Sequence, residues 1–351
     1  MVNQMKQKLA LLIDKLDENN LDSILITDLN NVRYFSGFTG TTAYLIITKH
    51  NNYLITDFRY IEQANGQCPD FEIIDHNAQD VELLTKQLEN TGFENETISY
   101  KNYIKFEKLF KKLICVNDLI TTLREKKYED EIINIKHAVK IADDAFTHIC
   151  KYAKEGMSEI EVANELEFYM RKNGAEKLSF DTIVASGARG AMPHGYPTDK
   201  KLVSGELVVL DFGCFYNGYA SDMTRTLAVG NVDDKLIDVY NTVLDAQMSV
   251  LKVISDGQSA SLMHKTAQDI IDKKYINTFG HALGHGVGLE IHELPTLSPK
   301  SKKILEVGNV VSVEPGIYIP GLCGVRIEDL VYITKNGCEV LTKSTKKLIY
   351  I

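Results

Sequence analysis

Two short segments each offer a pair of carboxylates at the spacing of a β-hairpin. The first, Gly205–Gly230, reads GELVVLDFGCFYNGYASDMTRTLAVG. Two apolar runs flank Asn217-Gly218, the strongest short-range hairpin signal. With those residues as the turn, Gly213 faces Asp222 and Asp211 faces Thr224. Asp211 and Asp222 then stand diagonally on one face, roughly 5.5–8 Å apart at Cβ. The second segment, Asn309–Thr334, reads NVVSVEPGIYIPGLCGVRIEDLVYIT. Counting outward from Gly321 puts Glu314 and Glu328 equally far along the two arms, so a hairpin centred there sets them face to face. Arg326 shares a face with Glu328 because strand side chains alternate. It reads equally as a neutralising partner for a glutamate or as a substrate contact.

Taken singly, each acid has a plainer explanation. Exposed Asp is common, so Asp222 alone is as well read as a solvated strand residue. Asp211 is harder to set aside, because it ends the apolar run Leu-Val-Val-Leu and an unpaired carboxylate is costly to bury. Four carboxylates converging on one pocket repel unless cations intervene. Two divalent ions neutralise four carboxylates, and that charge count points to two metals rather than one.

Four of the nine histidines, His194, His281, His285 and His292, lie in or near these segments. In FGHALGHGVGLEIHE, His281 and His285 are four apart, which invites a helical zinc motif. The glutamate expected after the first histidine is missing. Gly280–Gly288 also holds four glycines in nine residues, a poor helix. The tail Val287–His292 alternates as a strand would. A lone histidine is more often a hydrogen-bonded structural residue than a ligand. Crowding beside glycines, which allow close backbone approach, favours the site here. His194, in Ala-Met-Pro-His-Gly-Tyr-Pro, is expected in a loop, either simply exposed or at the rim of a site.

The elements that must position these groups lie mostly in the second part of the chain. The first third alternates helix and strand patterns. An amphipathic helix (Met5, Leu9, Leu12, Ile13, Leu16) leads to a strand at Ser23–Thr27, then Asn30-Asn31 and the apolar run Val32–Phe35. Ala43–Thr48 and Tyr53–Asp57 read as strands around His50-Asn51-Asn52, and Val81–Leu88 reads as a helix. This predicts a small α/β domain over residues 1–125. The charged stretch TTLREKKYED marks the boundary, and residues 126–351 form the second domain. Long helices are expected over Glu129–Lys154 and Ser158–Lys172, the latter opened by a Ser158/Glu161 capping box.

Bulk properties narrow the function. The 351 residues are 44% hydrophobic and 25% charged with a net charge of −9, an ordinary globular balance without the basic stripe that nucleic acid requires. No segment reads as a membrane span or a cleavable leader. The six scattered cysteines form no CxxC pair and read as reduced thiols, which points to a cytoplasmic protein.

The contexts VLDFG, SDMTRT, GHGVGLEIHE, SVEPG and RIED, in that order, resemble the methionine aminopeptidase, aminopeptidase P and prolidase superfamily. ITDLNNVRYFSGFTG followed by YLITDFRY resembles the amino-terminal domain of Xaa-Pro peptidases and creatinases. The resemblance implies an α/β N-terminal domain plus an α+β pita-bread catalytic domain with a curved, mostly antiparallel sheet. It implies Asp211 on one metal, His285 and Glu314 on the other, and Asp222 and Glu328 bridging both. His194 and His292 match two non-ligand histidines that contact substrate and help proton transfer. His281 lines the pocket, and Arg326 matches an arginine beside the last ligand.

The expected chemistry follows from these parts. Two cations about 3.5–4 Å apart hold a shared water and lower its pKa. The hydroxide attacks a scissile carbonyl polarised by one metal and a histidine. Glu314 takes the water's proton and passes it to the leaving nitrogen. An oxygen-rich donor set suits Mn²⁺, with Co²⁺, Zn²⁺ and Fe²⁺ sharing the same ligand chemistry. An N-terminal domain is usual in the Xaa-Pro branch, not in methionine aminopeptidases. In that branch it commonly helps close a neighbouring subunit's site, which implies a homodimer and a small peptide substrate with proline in second place. A metal-free creatinase-like hydrolase and a peptide-binding module are the competing readings, both disfavoured by the intact ligand set. Prolidases carry an arginine for the dipeptide carboxylate in the loop before the VEPG strand. Here that stretch, Ser298–Lys303, has lysines only. Lys300 is the candidate anchor, against the reading of a solvated basic turn.

Overall fold

Alternating apolar runs in the first third of the chain pair into a six-stranded sheet. Its order is Glu72–Asp75, Asn52–Thr56, Ala43–Thr48, Ser23–Ile26, Thr91–Phe93, Leu113–Cys115. The central strands are antiparallel, and the outer ones join in parallel. Parallel neighbours need crossovers, which helices Ile61–Gln67 and Tyr100–Glu107 supply. The run Val32–Phe35 is helical, inside Leu29–Ser36. Asp28 caps that helix, accepting from the Asn30 and Asn31 amides, and Gly37 ends it at φ 75°. The computed structural model describes residues 2–77 and 79–351, and these divide into two units, Met1–Leu123 and Arg124–Ile351.

The second unit is built around the two carboxylate hairpins. In the first, Leu207–Phe212 pairs with Met223–Ala228 and Cys214–Tyr216 with Tyr219–Ala220. Asn217 (φ 46°) and Gly218 (φ 79°) make the turn, and Asp211 stands opposite Thr224 as the dipeptide requires. The second hairpin pairs Val310–Val313 with Asp329–Thr334 and Gly316–Ile319 with Cys323–Arg326. Gly316 faces Arg326 and Val313 faces Asp329, so the register carries Glu314 opposite Glu328. Neither hairpin stays in one sheet. The first breaks at Gly213 and Asp222, the second between Glu314 and Glu328, and the halves join different partners.

Each hairpin has its own helix pair. Helices Glu129–Tyr152 and Glu159–Lys172 pack Phe146, Ile149, Leu166 and Met170 against Leu210, Phe212 and Met223. Helices Asp234–Leu251 and Ala260–Ile271 pack Val239, Val243 and Met263 against Val311, Val313 and Val325. The Ser158 capping box forms as expected: the Ser158 hydroxyl accepts from the Glu161 amide at 3.1 Å, and Glu161 accepts from the Ser158 amide at 2.6 Å. One expectation fails. Val287–His292 is not a strand but the connection between Gly284–Gly286 and Glu293–Leu297. Gly286 already pairs with Glu293, so the six intervening residues must reverse the chain, and the Gly288 amide bonds the Glu290 carbonyl at 3.0 Å within that turn. No helix among the described residues is long and apolar enough to cross a membrane, and all six cysteines are free thiols.

Candidate metal centre

The breaks in the two hairpins put carboxylates where backbone pairing stops. Asp222 follows the short strand Tyr219–Ala220, and the Glu328 amide leaves its own hairpin to bond the Thr224 carbonyl at 3.0 Å. Donor atoms of Asp222, His285 and Glu328 all lie within 4.8 Å of one another. His285 Nε2 is 3.6 Å from Asp222 Oδ2 and 3.3 Å from Glu314 Oε1. His285 reaches this point because the strand Gly284–Gly286 pairs with Val310–Val313. At Gly284 a Cβ would fall 2.0 Å from the Ser312 carbonyl oxygen, so only glycine permits that approach.

Threonine and serine hydroxyls hold the carboxylates in place. Thr224 Oγ1 donates to Glu328 Oε2 at 2.8 Å and accepts from Arg326 Nε at 3.0 Å. Ser312 Oγ accepts from the His285 amide and donates to Glu314 Oε1, both at 3.0 Å. Arg326 pairs with Asp211, an aspartate of the first hairpin, and not with the glutamate considered from sequence. Neither hydroxyl was singled out from sequence, although the hairpin register already placed Thr224 opposite Asp211.

His281 belongs to a different network. Its Nδ1 bonds the Ala282 carbonyl at 2.7 Å and its Nε2 meets the Tyr318 hydroxyl at 2.9 Å. Arg326 Nη1 donates to the same hydroxyl at 2.7 Å. The chain of donors is therefore Arg326 to Tyr318 to Nε2, with Nδ1–H on the carbonyl. Both ring nitrogens of His281 are engaged in this way, whereas His285 Nε2 faces Asp222 and Glu314. His292 lies against His285, ring centroids 4.4 Å apart and edge to face. His194 sits exposed in the turn after the short 3₁₀ segment Gly187–Ala191. The Pro193 carbonyl beside it accepts from Arg326 at 3.4 Å. Lys300 is exposed in a turn just beyond the strand Glu293–Leu297.

The electrostatics call for positive charge. Burial, then repulsion from Glu328 and Asp211, pushes the Asp222 carboxyl well above its ordinary value. Burial and the charges of Glu314 and Asp211 do the same to Glu328. Asp211 is raised by burial although Arg326 opposes it. Burial also works against Glu314, but hydrogen bonding and charge from His285 hold it at about 2. Burial lowers the basicity of His285, and Glu314 more than reverses this. Asp211 Oδ1, Asp222 Oδ1 and Glu328 Oε1 are buried with no hydrogen-bond partner among the described residues. Buried anionic oxygens are normally paired, and oxygen donors beside an imidazole are the ligands of a divalent cation. The residues present therefore fit a metal ion.

Residues 133–335 match the family model described as metallopeptidase family M24, and residues 8–126 match the creatinase/prolidase N-terminal domain. The chain is 40% identical over 352 residues to the Xaa-Pro dipeptidase of Pyrococcus furiosus, covering 98% of this chain and 100% of that one. Among solved structures it resembles an Xaa-Pro dipeptidase from Bacillus anthracis, with 45% identity, a TM-score of 0.96 and coverage of 99% of this chain and 100% of that one. It also resembles the X-Pro aminopeptidase from Thermotoga maritima MSB8, with 37% identity, a TM-score of 0.89 and coverage of 95% and 98%. The chain therefore belongs to metallopeptidase family M24, a peptidase with a creatinase/prolidase N-terminal domain and a pita-bread catalytic domain.

Proposed function

We propose that this enzyme hydrolyses the peptide bond before proline, in Xaa-Pro dipeptides or at Xaa-Pro N-termini, using two divalent metal ions. The observation that carries the reading is the set of partnerless buried oxygens on Asp211, Asp222 and Glu328 beside His285. The Xaa-Pro names borne by similar chains support the specificity. Asp211 would hold one ion, His285 and Glu314 the other, and Asp222 and Glu328 would serve both. Mn²⁺ is the proposed metal, since four carboxylates and one imidazole favour a hard cation. Bound there, such ions supply a Lewis acid for the scissile carbonyl and a hydroxide nucleophile near neutral pH.

The chain's own groups do the rest. Glu314 is ionised at neutral pH, the state a proton acceptor must be in, and Ser312 orients its Oε1. It takes the proton that a water loses in becoming the hydroxide nucleophile and returns it to the leaving nitrogen. His292, exposed beside His285, and His194, exposed on its loop, contact the substrate and share the proton transfer. His281 and Arg326 line the pocket, each with its orientation set through Tyr318. The protein acts in the cytoplasm as a homodimer.

Metal analysis with a substrate panel tests the reading. The purified enzyme should carry two equivalents of divalent cation, cleave Xaa-Pro peptides with Mn²⁺ and leave Met-Xaa peptides intact. Full activity after chelation would favour a creatinase-like hydrolase, and no hydrolysis with metal bound would favour a peptide-binding module.

His292→Ala and His194→Ala should each retain the metal, because neither is a ligand in this assignment. Turnover should fall about 10²–10⁴-fold, the usual loss for an acid–base group. Elemental analysis read beside kcat decides it: metal loss in His292→Ala would mean that the ligand is His292 rather than His285. Lys300→Ala addresses dipeptide selection. If Lys300 meets the free carboxylate, KM for Xaa-Pro dipeptides should rise by roughly one charged hydrogen bond, about 1.5–3 kcal/mol. Xaa-Pro-Xaa tripeptides should hardly respond. Equal responses, or none, would remove Lys300 and favour a general aminopeptidase P.

A further inference from the structure

The loop that carries His194 is tied at both ends to one side chain outside the metal centre. It leaves the strand Ile183–Ser186 and runs to Lys200. Glu159, the first residue of helix Glu159–Lys172, is wholly buried. Its Oε1 accepts from the Ser186 amide at 2.8 Å and the Ser186 hydroxyl at 2.9 Å, where the loop begins. Its Oε2 accepts from the Thr198 amide at 3.1 Å and the Thr198 hydroxyl at 2.8 Å, where the loop ends. Arg189, within the loop, donates to Oε2 at 3.0 Å and spans the loop to the Tyr196 carbonyl at 2.5 Å.

The backbone makes the same connection. The first amides of a helix have no partner inside it. Here those of Glu159 and Ile160 bond the carbonyls of Lys200 at 3.0 Å and Thr198 at 3.1 Å. The far side of the loop is held by the site. The Pro193 carbonyl takes its bond from Arg326. A Cβ on Gly190 would fall 2.9 Å from the Gly324 amide nitrogen, so the loop backbone lies directly on the strand leading to Arg326.

A buried carboxylate is retained only when it is fully paired, and this one uses both oxygens on the two ends of a single loop. We infer that Glu159 is a positioning residue for the reaction, clamping the loop so that His194 meets the substrate in one geometry. The inference rests on the role proposed above for His194. Displacing a group by about 1 Å can slow a reaction by roughly 10²-fold, so a clamp of this kind has kinetic leverage without touching substrate.

The test is a double-mutant cycle in the full-length metal-loaded enzyme. Glu159→Gln keeps the shape but turns one oxygen into a donor facing donors. It should retain its metal, lose turnover by up to about 10²-fold, and show faster amide exchange confined to residues 187–199. In a His194→Ala background the same substitution should cost no further turnover, because the clamp acts through that histidine. Thr198→Val, which at nearly constant volume removes the hydroxyl that donates to Glu159 and accepts from the Lys200 amide, should show a smaller loss that also vanishes in the His194→Ala background, and it serves if Glu159→Gln does not fold. Losses that multiply in the double variant would overturn the positioning role and leave Glu159 as a fold element. Wild-type turnover in Glu159→Gln beside a slow His194→Ala would overturn it alone. Full turnover in His194→Ala would overturn the role given to that histidine, and the inference with it.

Discussion

Asp222→Ala should turn over an Xaa-Pro dipeptide at background rate and purify with less metal than the parent, and Glu328→Ala should do the same. Both carboxylates are almost wholly buried, and each has one oxygen with no hydrogen-bond partner among the described residues. In the proposed site they are the two groups shared by both ions, so losing either disturbs the pair rather than one member. Where catalytic groups act as a unit, a single deletion can remove nearly all of the acceleration. Elemental analysis and kcat together form the check. An Asp222→Ala enzyme with full activity and full metal would end the two-ion assignment. Asp222→Asn adds a second reading of the same physics. With the metal stripped from both proteins it should melt no lower than the parent, because the neutral isostere relieves carboxylate repulsion.

The second large effect concerns stability. Glu293, next to His292, is buried against Arg124 and Lys127. Lys127 Nζ meets it at 2.8 Å, and Arg124 contacts it as well as Glu290, the latter at 2.7 Å. Side-chain exposure is 3% for Arg124, 1% for Lys127 and 5% for Glu293. Glu293→Gln removes the carboxylate that faces Lys127 and one of the two that face Arg124, and breaking such a buried cluster costs about 3–5 kcal/mol. The cluster also fixes the end of the turn that carries His292, so this variant should lose activity near its melting range earlier than the parent. Chemical denaturation at neutral pH measures the effect, and a change under about 1 kcal/mol would show the cluster to be dispensable.

The same carboxylate sets an acid dependence. Burial alone would raise its pKa, but Lys127 and Arg124 outweigh burial and bring it from an ordinary 4.5 down to about 2. A carboxyl whose folded value lies below its unfolded value binds fewer protons when folded. Its contribution is therefore complete above about pH 4.5 and is lost as pH falls towards 2. The parent should lose that increment across this window, and Glu293→Gln should not.

Much of the site is legible in the order of the residues alone. Asn217-Gly218 forces a two-residue turn, and side-chain alternation then determines that Asp211 lies opposite Thr224. The count from Gly321 likewise predicts the pairing of Glu314 with Glu328. Local chemistry decides these features, since a turn type specifies register and register specifies faces. The Ser158 capping box and the missing helix at His281–His285 follow from equally local rules.

Tertiary packing decided the remainder. Nothing in either hairpin's own sequence says that it will break at its carboxylates and pass its halves to different sheets, since that depends on the helix pair beneath each one. Val287–His292 alternates as a strand, yet the pairing of Gly286 with Glu293 across more distant partners turns it into a connection. His281 and His285 look equivalent in sequence. Only the arrival of Tyr318 from another strand occupies one ring, and that of Glu314 and Asp222 leaves the other among acids. Glu159 carries no signal beyond the first turn of a helix, because its partners lie 27 to 39 residues away and meet it only when the loop closes. Short-range geometry is encoded in neighbouring residues, whereas the pairing of a buried charge depends on which distant segments the core brings to it.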